Sequence, residues 1–232
     1  MDTKRRALRA AFPLTIPVMT GYLVLGTAYG ILLADKGYGA VWALLTSLLI
    51  FAGSMQFVSI GLLTAGFHPL YACAMTLMVN ARHLFYGIAM LGRYRGIKKV
   101  KPYLIFGLTD ETFSIVCTTD PPEGVDRGWF YFFVTLLDQL YWVAGSVLGG
   151  LVGGLLPFDT TGMDFALTAL FVVIFAGQWQ ERRNRLPALI GVGGSVLCRM
   201  LFGADSFVLP AMACILLLVT LLQKPLAREE LP

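Results

Sequence analysis

Charged side chains are scarce in this sequence. Asp, Glu, Lys and Arg make up 14% of its 232 residues, whereas a soluble domain averages about a quarter. Residues 11–34 and 40–64 contain no Asp, Glu, Lys, Arg or His at all. A membrane-spanning helix needs about 20 mostly apolar residues, and several runs of that length are present. The scarcity of charge excludes an ordinary soluble protein and predicts an all-α polytopic membrane protein.

Signatures of common enzymes and metal sites are also missing. The sequence has no P-loop with Lys followed by Ser or Thr, no HExxH and no GxSxG. Its histidines are His68 and His83, and its four cysteines show no CxxC spacing. We therefore expect no enzymatic activity, no metal and no cofactor. Energy for any transport would have to come from a gradient or from another subunit.

The sequence does contain an internal repeat. Residues 50–56 reappear at 174–180 with five of the seven positions matching. Weaker matches lie upstream and downstream in the same order, and transporters are often built from two homologous halves. We predict one transmembrane domain over 1–232 with a first repeat at about 8–118 and a second at about 126–224. The upstream matches pair Gly26 and Gly30 with Gly145 and Gly149.

The distribution of basic residues predicts that the two halves have inverted topologies. Short cytoplasmic loops are rich in Lys and Arg. The N-terminus and 93–101 are basic, but their counterparts 120–126 and 203–206 are not. Conversely, 181–185 is basic and its counterpart 66–69 lacks Lys and Arg. Because every loop changes character between the halves, we expect them to face opposite ways, with both termini in the cytoplasm.

This arrangement requires one interrupted segment in each half. An even number of crossings must separate the N-terminus from 93–101, yet three apolar segments lie between. Segment 40–64, interrupted near Gly53, is therefore predicted to be broken or re-entrant, and so is its partner 162–180 near Gly177. A plain spanning helix with a packing glycine is the alternative. The predicted spanning helices are 11–33, 70–92 and 102–119 in the first half and 128–156, 186–202 and 206–223 in the second.

Polar side chains at the two breaks form the first candidate site. The N-terminus of a half-helix suits a carboxylate, free carbonyl groups suit an ammonium, and an amino acid carries both. Ordinary hydrogen bonding between helices by Ser and Gln is the alternative. Neighbouring apolar residues would contact an aliphatic side chain. The predicted substrate-binding residues are Phe51, Gly53, Ser54, Met55, Gln56, Phe175, Gly177, Gln178 and Gln180.

A second set of polar residues lies within later apolar segments. Ionisable groups in hydrocarbon need a partner, a proton or water. His83 has an ordinary pKa near neutrality and shares a helical face with Asn80. A structural ion pair, with Arg82 or Arg199 as the base, is the alternative for the acids. The predicted proton-coupling or gating residues are Asn80, Arg82, His83, Asp110, Glu111 and Asp138.

Three ordered stretches resemble the AzlC-like family, the large subunit of branched-chain amino acid exporters. They are residues 51–57, 80–87 and 109–113. The resemblance implies a proton-linked secondary transporter that exports leucine, isoleucine and valine across the bacterial inner membrane. It also implies a small hydrophobic membrane subunit of the AzlD type. The residues themselves indicate only a small solute, so a channel-like pore and a non-transporting accessory subunit are the alternatives.

Overall fold

The computed structural model describes residues 2–64, 66, 68–155, 165, 168–169, 172, 175–176, 179, 182–203 and 207–222. The chain divides into two compact units, Met1–Ala166 and Leu167–Pro232. The described residues form helices and connecting turns, without a strand. This confirms the all-α class.

The first unit contains eight helices within the described residues. The first and the last of them are long. The other six form three consecutive pairs, and one to three residues separate the two helices of each pair. The helices are α1 (Asp2–Asp35), α2 (Ala40–Leu49), α3 (Gly53–Thr64), α4 (Pro69–Asn80), α5 (Arg82–Met90), α6 (Lys101–Phe106), α7 (Asp110–Thr118) and α8 (Arg127–Leu155). By length and composition, Thr3–Asp35 and Arg127–Leu155 can cross a membrane.

Helices α1 and α8 run parallel and pack closely along their length. The Lys4 ammonium lies 4.2 Å from the centre of the Trp129 ring, near the start of both helices. Towards their ends, a methyl group added to Gly30 would overlap the carbonyl oxygen of Ser146, and one added to Gly149 would overlap that of Thr27. Small residues permit such close contact between membrane helices. The glycine pattern on these helices is therefore a packing surface.

Helices α2 and α3 form a first hairpin (residues 40–64) that enters and leaves at the same end of the unit. Ala40 lies against Gly150, close to the C-terminal end of α8. The hairpin returns to that end, where the Tyr38 hydroxyl donates to the Leu63 carbonyl oxygen at 3.4 Å. The predicted break within 40–64 is therefore present between Leu49 and Gly53.

The interruption itself is centred on Phe51 rather than Gly53. Phe51 has φ of 41°, in the left-handed region that bulky residues rarely adopt. Gly53 is the first residue of α3. Its missing side chain leaves room for the Trp142 ring, because an added Cβ would lie 3.1 Å from that ring. The glycine thus permits packing, and the chain turns two residues earlier.

Helices α6 and α7 form a second hairpin (residues 101–118), which enters from the opposite end of the unit. Val100 lies near Gly128, at the start of α8. The hairpin returns to the same end, where the Arg93 guanidinium forms an ion pair with Asp120 at 2.7 Å. The hydrogen bond from Arg93 to the Tyr131 hydroxyl and the Asp120 carboxylate raise the pKa of Arg93 above its ordinary value.

The chain turns in this second hairpin at Gly107, Leu108 and Thr109. A methyl group on Gly107 would overlap the Thr135 side chain of α8. Thr109 then caps α7, because its hydroxyl accepts a hydrogen bond from the Thr112 N–H at 3.3 Å. Asp110 and Glu111 occupy the first turn of α7, where negative charge is favourable. This position accounts for two adjacent carboxylates inside an apolar stretch.

These contacts correct three predictions. Segment 102–119 is not a spanning helix, because both its ends lie beside the start of α8. Segment 120–126 lies at the same end as the basic segment 93–101, with which it pairs, so its acidity is not a sign of opposite topology. Segments 11–33 and 128–156 are not inverted counterparts, since the two helices are parallel.

The described part of the second unit contains α9 (Arg182–Phe202) and α10 (Val208–Leu221), which pack against each other. Gly194 allows this contact, since an added Cβ would lie 3.0 Å from the Ile215 side chain. Residues Arg185–Phe202 can cross a membrane by length and composition. The predicted second break near Gly177 lies outside the described residues.

Candidate functional site

The tips of the two hairpins meet inside the first unit. The rings of Phe51 and Phe106 have centroids 6.5 Å apart. Phe51 is also close to Gly107, where an added Cβ would lie 3.6 Å from its ring. Helices α3 and α7 both begin at these tips, so their free N–H groups lie within the unit rather than at its ends. The free carbonyl groups of α2 and α6 lie there too.

Arg82 joins the two tips. Its guanidinium donates to the Ser54 hydroxyl of α3 at 2.6 Å. It also forms an ion pair with Asp110 of α7 at 3.0 Å. The Tyr86 hydroxyl donates to the same carboxylate at 2.7 Å. Three helix N-termini, those of α3, α5 and α7, are therefore connected through one cation and one anion.

Gln56 is fully buried and bonded on both sides of its amide. Its Nε2 donates to the Ser47 hydroxyl of α2 at 3.1 Å, across the interruption of the first hairpin. Its Oε1 accepts from the Trp142 indole N–H at 2.8 Å. Met55, its neighbour, is buried as well. This arrangement fits the alternative in which Gln56 holds helices together, and it fixes the shape of the tip.

Gln139 of α8 also holds helices together, at the end of α2. The interruption deprives the Leu48 carbonyl of a continuing helix, and Gln139 Nε2 donates to that oxygen at 3.3 Å. The Tyr103 hydroxyl of α6 donates to Gln139 Oε1 at 2.6 Å. One α8 side chain thereby links both hairpins.

His83 and Asn80 lie next to this centre. His83 Nδ1 is 3.1 Å from the Asn80 carbonyl oxygen, and the His83 ring packs edge-on against Tyr86 at 5.6 Å. His83 also lines an apolar cavity of about 370 Å³ beside α5 and α6, with Tyr94 and Leu108. The Asn80 side-chain oxygen is buried and has no hydrogen-bond partner among the described residues.

Glu111 and Asp138, the other two predicted acids, lie at the two ends of a run of hydroxyl groups. The Tyr22 hydroxyl of α1 lies 2.6 Å from Glu111 Oε2. The Thr112 hydroxyl lies 2.8 Å from Asp138 Oδ2. Asp138 is fully buried, and no cation within the described part of the chain lies within 4.0 Å of it.

The second unit holds the remaining predicted residues. Phe175 is 39% exposed and stacks on Trp179 with ring centroids 5.9 Å apart. It lines an apolar cavity of about 510 Å³ with residues of α9 and Ile215 of α10. Gly177, Gln178 and Gln180 lie outside the described residues.

Sequence reasoning missed three side chains that complete the first-unit cluster. They are Tyr22, Ser47 and Trp142, which hold Glu111, Gln56 and the tip of the first hairpin. Each is a polar or amphipathic residue inside an apolar run, but such residues are common in membrane helices. The partners of Tyr22 and Trp142 lie 89 and 86 positions away in the chain, and Ser47 meets Gln56 only because the chain turns between them.

Comparison with known proteins gives one family. The sequence model of the AzlC protein family matches residues 17–156, the part of the chain that contains both hairpins. The branched-chain amino acid transport protein AzlC of Bacillus subtilis is 53% identical over 224 residues, covering 97% of this chain and 88% of that protein.

More distant relatives are also membrane proteins. An uncharacterised membrane protein of Haemophilus influenzae is 41% identical, covering 93% of this chain and 88% of that protein. The inner membrane protein YgaZ of Escherichia coli is 29% identical, covering 86% of this chain and 84% of its own length. No solved structure matches the chain.

Proposed function

Because this chain belongs to the AzlC protein family, we propose that it is a secondary transporter that exports branched-chain amino acids across the bacterial inner membrane. Transport is coupled to protons, both termini are cytoplasmic, and a small AzlD-type membrane subunit takes part. The observation that carries the proposal is the meeting of two re-entrant hairpins, which enter from opposite ends of the unit and join through Arg82. We also propose that the two hairpins, rather than the two halves of the chain, have inverted topologies relative to each other.

The hairpin tips offer both charges that a zwitterion needs. The N-terminal ends of α3 and α7, together with Arg82, attract a carboxylate. The free carbonyl groups at the ends of α2 and α6, together with Asp110, attract an ammonium. The Arg82–Asp110 pair therefore opens to receive the substrate, whose two charges replace the pair. Because a bound zwitterion keeps the local charge balanced, binding avoids an unpaired ion in the membrane.

Apolar groups beside the tips select an aliphatic side chain. Phe51 and Met55 are buried there, and hydrophobic contact favours leucine, isoleucine and valine over small or charged amino acids. Phe175, Gly177, Gln178 and Gln180 stay predicted substrate-binding residues of the second half of the chain. Asn80 and His83 gate access from the cavity beside α5.

The test is transport by the purified protein in proteoliposomes. We expect labelled leucine loaded inside to leave faster when a pH gradient is imposed, and external valine and isoleucine, but not lysine, to compete. Arg82→Gln should reduce leucine efflux by about tenfold or more, since hydrogen bonds to charged groups contribute about 1.5–3 kcal/mol. Arg95→Gln is the matched control, because Arg95 is exposed in the 93–101 segment.

Three outcomes oppose the proposal in different ways. Leucine efflux that ignores the pH gradient removes the proton coupling. Flux that never saturates with leucine concentration indicates a pore. An unchanged rate for Arg82→Gln removes the binding site from the hairpin tips.

For the partner subunit, copurification from the native membrane should bring down a hydrophobic chain of about 100 residues, long enough for a few spans.

A further inference from the structure

Five side chains form a continuous run of hydrogen bonds through the first unit. The run begins at Glu111, whose Oε2 is 2.6 Å from the Tyr22 hydroxyl. Tyr22 is 2.8 Å from the Thr109 hydroxyl, which is 3.0 Å from the Thr112 hydroxyl. The Thr112 hydroxyl is 2.8 Å from Asp138 Oδ2. We call these residues the hydroxyl chain. It links α1, the tip of the second hairpin and α8.

The number of protons in the hydroxyl chain is fixed by its geometry. Four oxygen–oxygen contacts connect the five side chains, and each needs one proton between its two oxygens. The three hydroxyl groups supply three protons, because each hydroxyl has one to donate. If both carboxyl groups were ionised, one contact would bring two oxygens together with no proton between them. One carboxyl group must therefore supply the fourth.

The two ways of placing that proton differ only in direction. With Glu111 protonated, each group donates towards Asp138: Glu111 to Tyr22, Tyr22 to Thr109, and so on along the chain. With Asp138 protonated, every donation reverses and ends at Glu111. Passing from one state to the other breaks one O–H bond and forms another at each hydroxyl oxygen, so the net result is transfer of one proton between the two carboxyl groups.

The surroundings of the chain favour a single negative charge. Asp138 is fully buried, and its Oδ1 has no hydrogen-bond partner among the described residues. Two ionised acids there would be costly to bury, whereas a shared proton leaves one. Among the residues that the structure describes, the other titratable or charged groups that face this region are Asp110 of α7, Tyr103 of α6, and Arg82, His83 and Tyr86 of α5.

We propose that Glu111 and Asp138 share one proton through Tyr22, Thr109 and Thr112, and that its movement between them links the second hairpin to α8 during transport. The link to transport rests on the proposed function, but the sharing itself does not. Tyr22, Thr109 and Thr112 are then relay residues of the coupling pathway. Each holds a proton at its hydroxyl oxygen in both states.

Infrared spectroscopy of the purified protein tests the sharing directly, because a protonated carboxyl group has its own carbonyl band. The wild-type protein should show this band at neutral pH. A side-chain amide has N–H donors, which a carboxylate lacks. In Glu111→Gln and in Asp138→Asn the amide therefore supplies the fourth proton of the chain, and the remaining carboxyl group is ionised. Either single variant should therefore lose the band entirely. Loss of the band in only one of the two variants would mean that one acid is protonated independently of the other, and it would overturn the proposal. Glu123→Gln, in an exposed loop, should leave the band unchanged.

A second variant separates the shared proton from any effect of the amides on folding. Thr112→Val keeps the shape of the side chain and cuts the hydroxyl chain next to Asp138. Glu111, Tyr22 and Thr109 then have two contacts and two hydroxyl protons, so Glu111 stays ionised. Asp138 is left buried without a donor and takes the proton. The band absent from Glu111→Gln should thus return in the double variant with Thr112→Val, and its failure to return would contradict the sharing.

Transport measurements distinguish failure of this inference from failure of the proposed function. In proteoliposomes, Thr112→Val should retain exchange of internal for external leucine but lose the acceleration by a pH gradient. An unaltered response to the gradient would show that the hydroxyl chain is not the coupling pathway. If the infrared pattern holds but wild-type protein moves no leucine, the proton is shared and the transport assignment is wrong.

Discussion

A single residue determines where the first hairpin turns. Phe51 adopts a left-handed backbone conformation, φ 41°, although it is neither glycine nor asparagine. That conformation costs about 1–2 kcal/mol for a residue with a Cβ. The ring is buried against Phe106 and beside Gly107, and this packing stabilises the turn. Strain of this kind occurs at ligand sites, which agrees with a binding role for the tip.

Substitutions at Phe51 should reverse the usual order of alanine and glycine. Both changes remove the ring, but glycine adopts positive φ without strain, so Phe51→Gly should be more stable than Phe51→Ala by about 1 kcal/mol. At Leu44, in the interior of α2, Leu44→Gly should instead be less stable than Leu44→Ala by about 0.5–1 kcal/mol. Unfolding in increasing fractions of SDS measures both pairs. Alanine preferred at both positions would contradict a left-handed Phe51.

Among the elements, α1 and α8 form the frame on which both hairpins are mounted. Tyr22 of α1 and three α8 residues, Asp138, Gln139 and Trp142, contact the hairpins. The position of these side chains depends on how closely the two backbones approach. Close approach is possible because glycines occupy the crossing on both helices.

Gly30→Ala should therefore disrupt the frame. The added methyl group would overlap backbone atoms of Ser146, Gly149 and Gly150, and overpacking costs about 1–3 kcal/mol, occasionally more. We expect earlier unfolding in SDS and a loss of leucine transport. Gly21→Ala is the matched control on the same helix, because no atom lies within 4 Å of its added Cβ. Equal stability of the two variants would show that the helices do not meet at Gly30.

At the scale of the whole molecule, the two hairpins set the direction of every segment in the first unit. Helix α1 runs from one end of the unit to the other, the first hairpin returns to the end from which it enters, and α4 with α5 runs back. The second hairpin then enters and returns at the other end, where α8 begins. Consequently 93–101 and 120–126 lie together, and Leu63, close to the end of the first hairpin, lies at the opposite end.

Chemical labelling of single cysteines tests this arrangement. In a background without Cys73, Cys117, Cys198 and Cys214, cysteines replacing the exposed Lys98 and Glu123 should react with an impermeant maleimide from the same side of oriented vesicles. A cysteine at His68, also exposed, should react from the other side. If Glu123→Cys reacted from the same side as His68→Cys, segment 102–119 would span the membrane, which would contradict the second hairpin.

The sequence by itself determined the solvent and the kind of element. Long uncharged runs require a membrane and helices, and the number of apolar segments between the basic segments predicted a break within 40–64. Three short motifs also identified the family, because they place residue types at fixed positions along the chain. These properties are local or add up along the sequence, so no knowledge of distant contacts is needed to read them.

Only the tertiary structure decided how the candidate residues combine. The acidic residues of 120–126 would be the same whether the segment lay on the outer side or paired with Arg93. Only the 2.7 Å contact between Arg93 and Asp120 shows that it pairs. In the same way, Glu111 and Asp138 are 27 positions apart, and nothing local joins either of them to Tyr22. Their hydrogen-bonded run exists because α1, α7 and α8 pack together, and packing depends on contacts between residues that are remote in sequence.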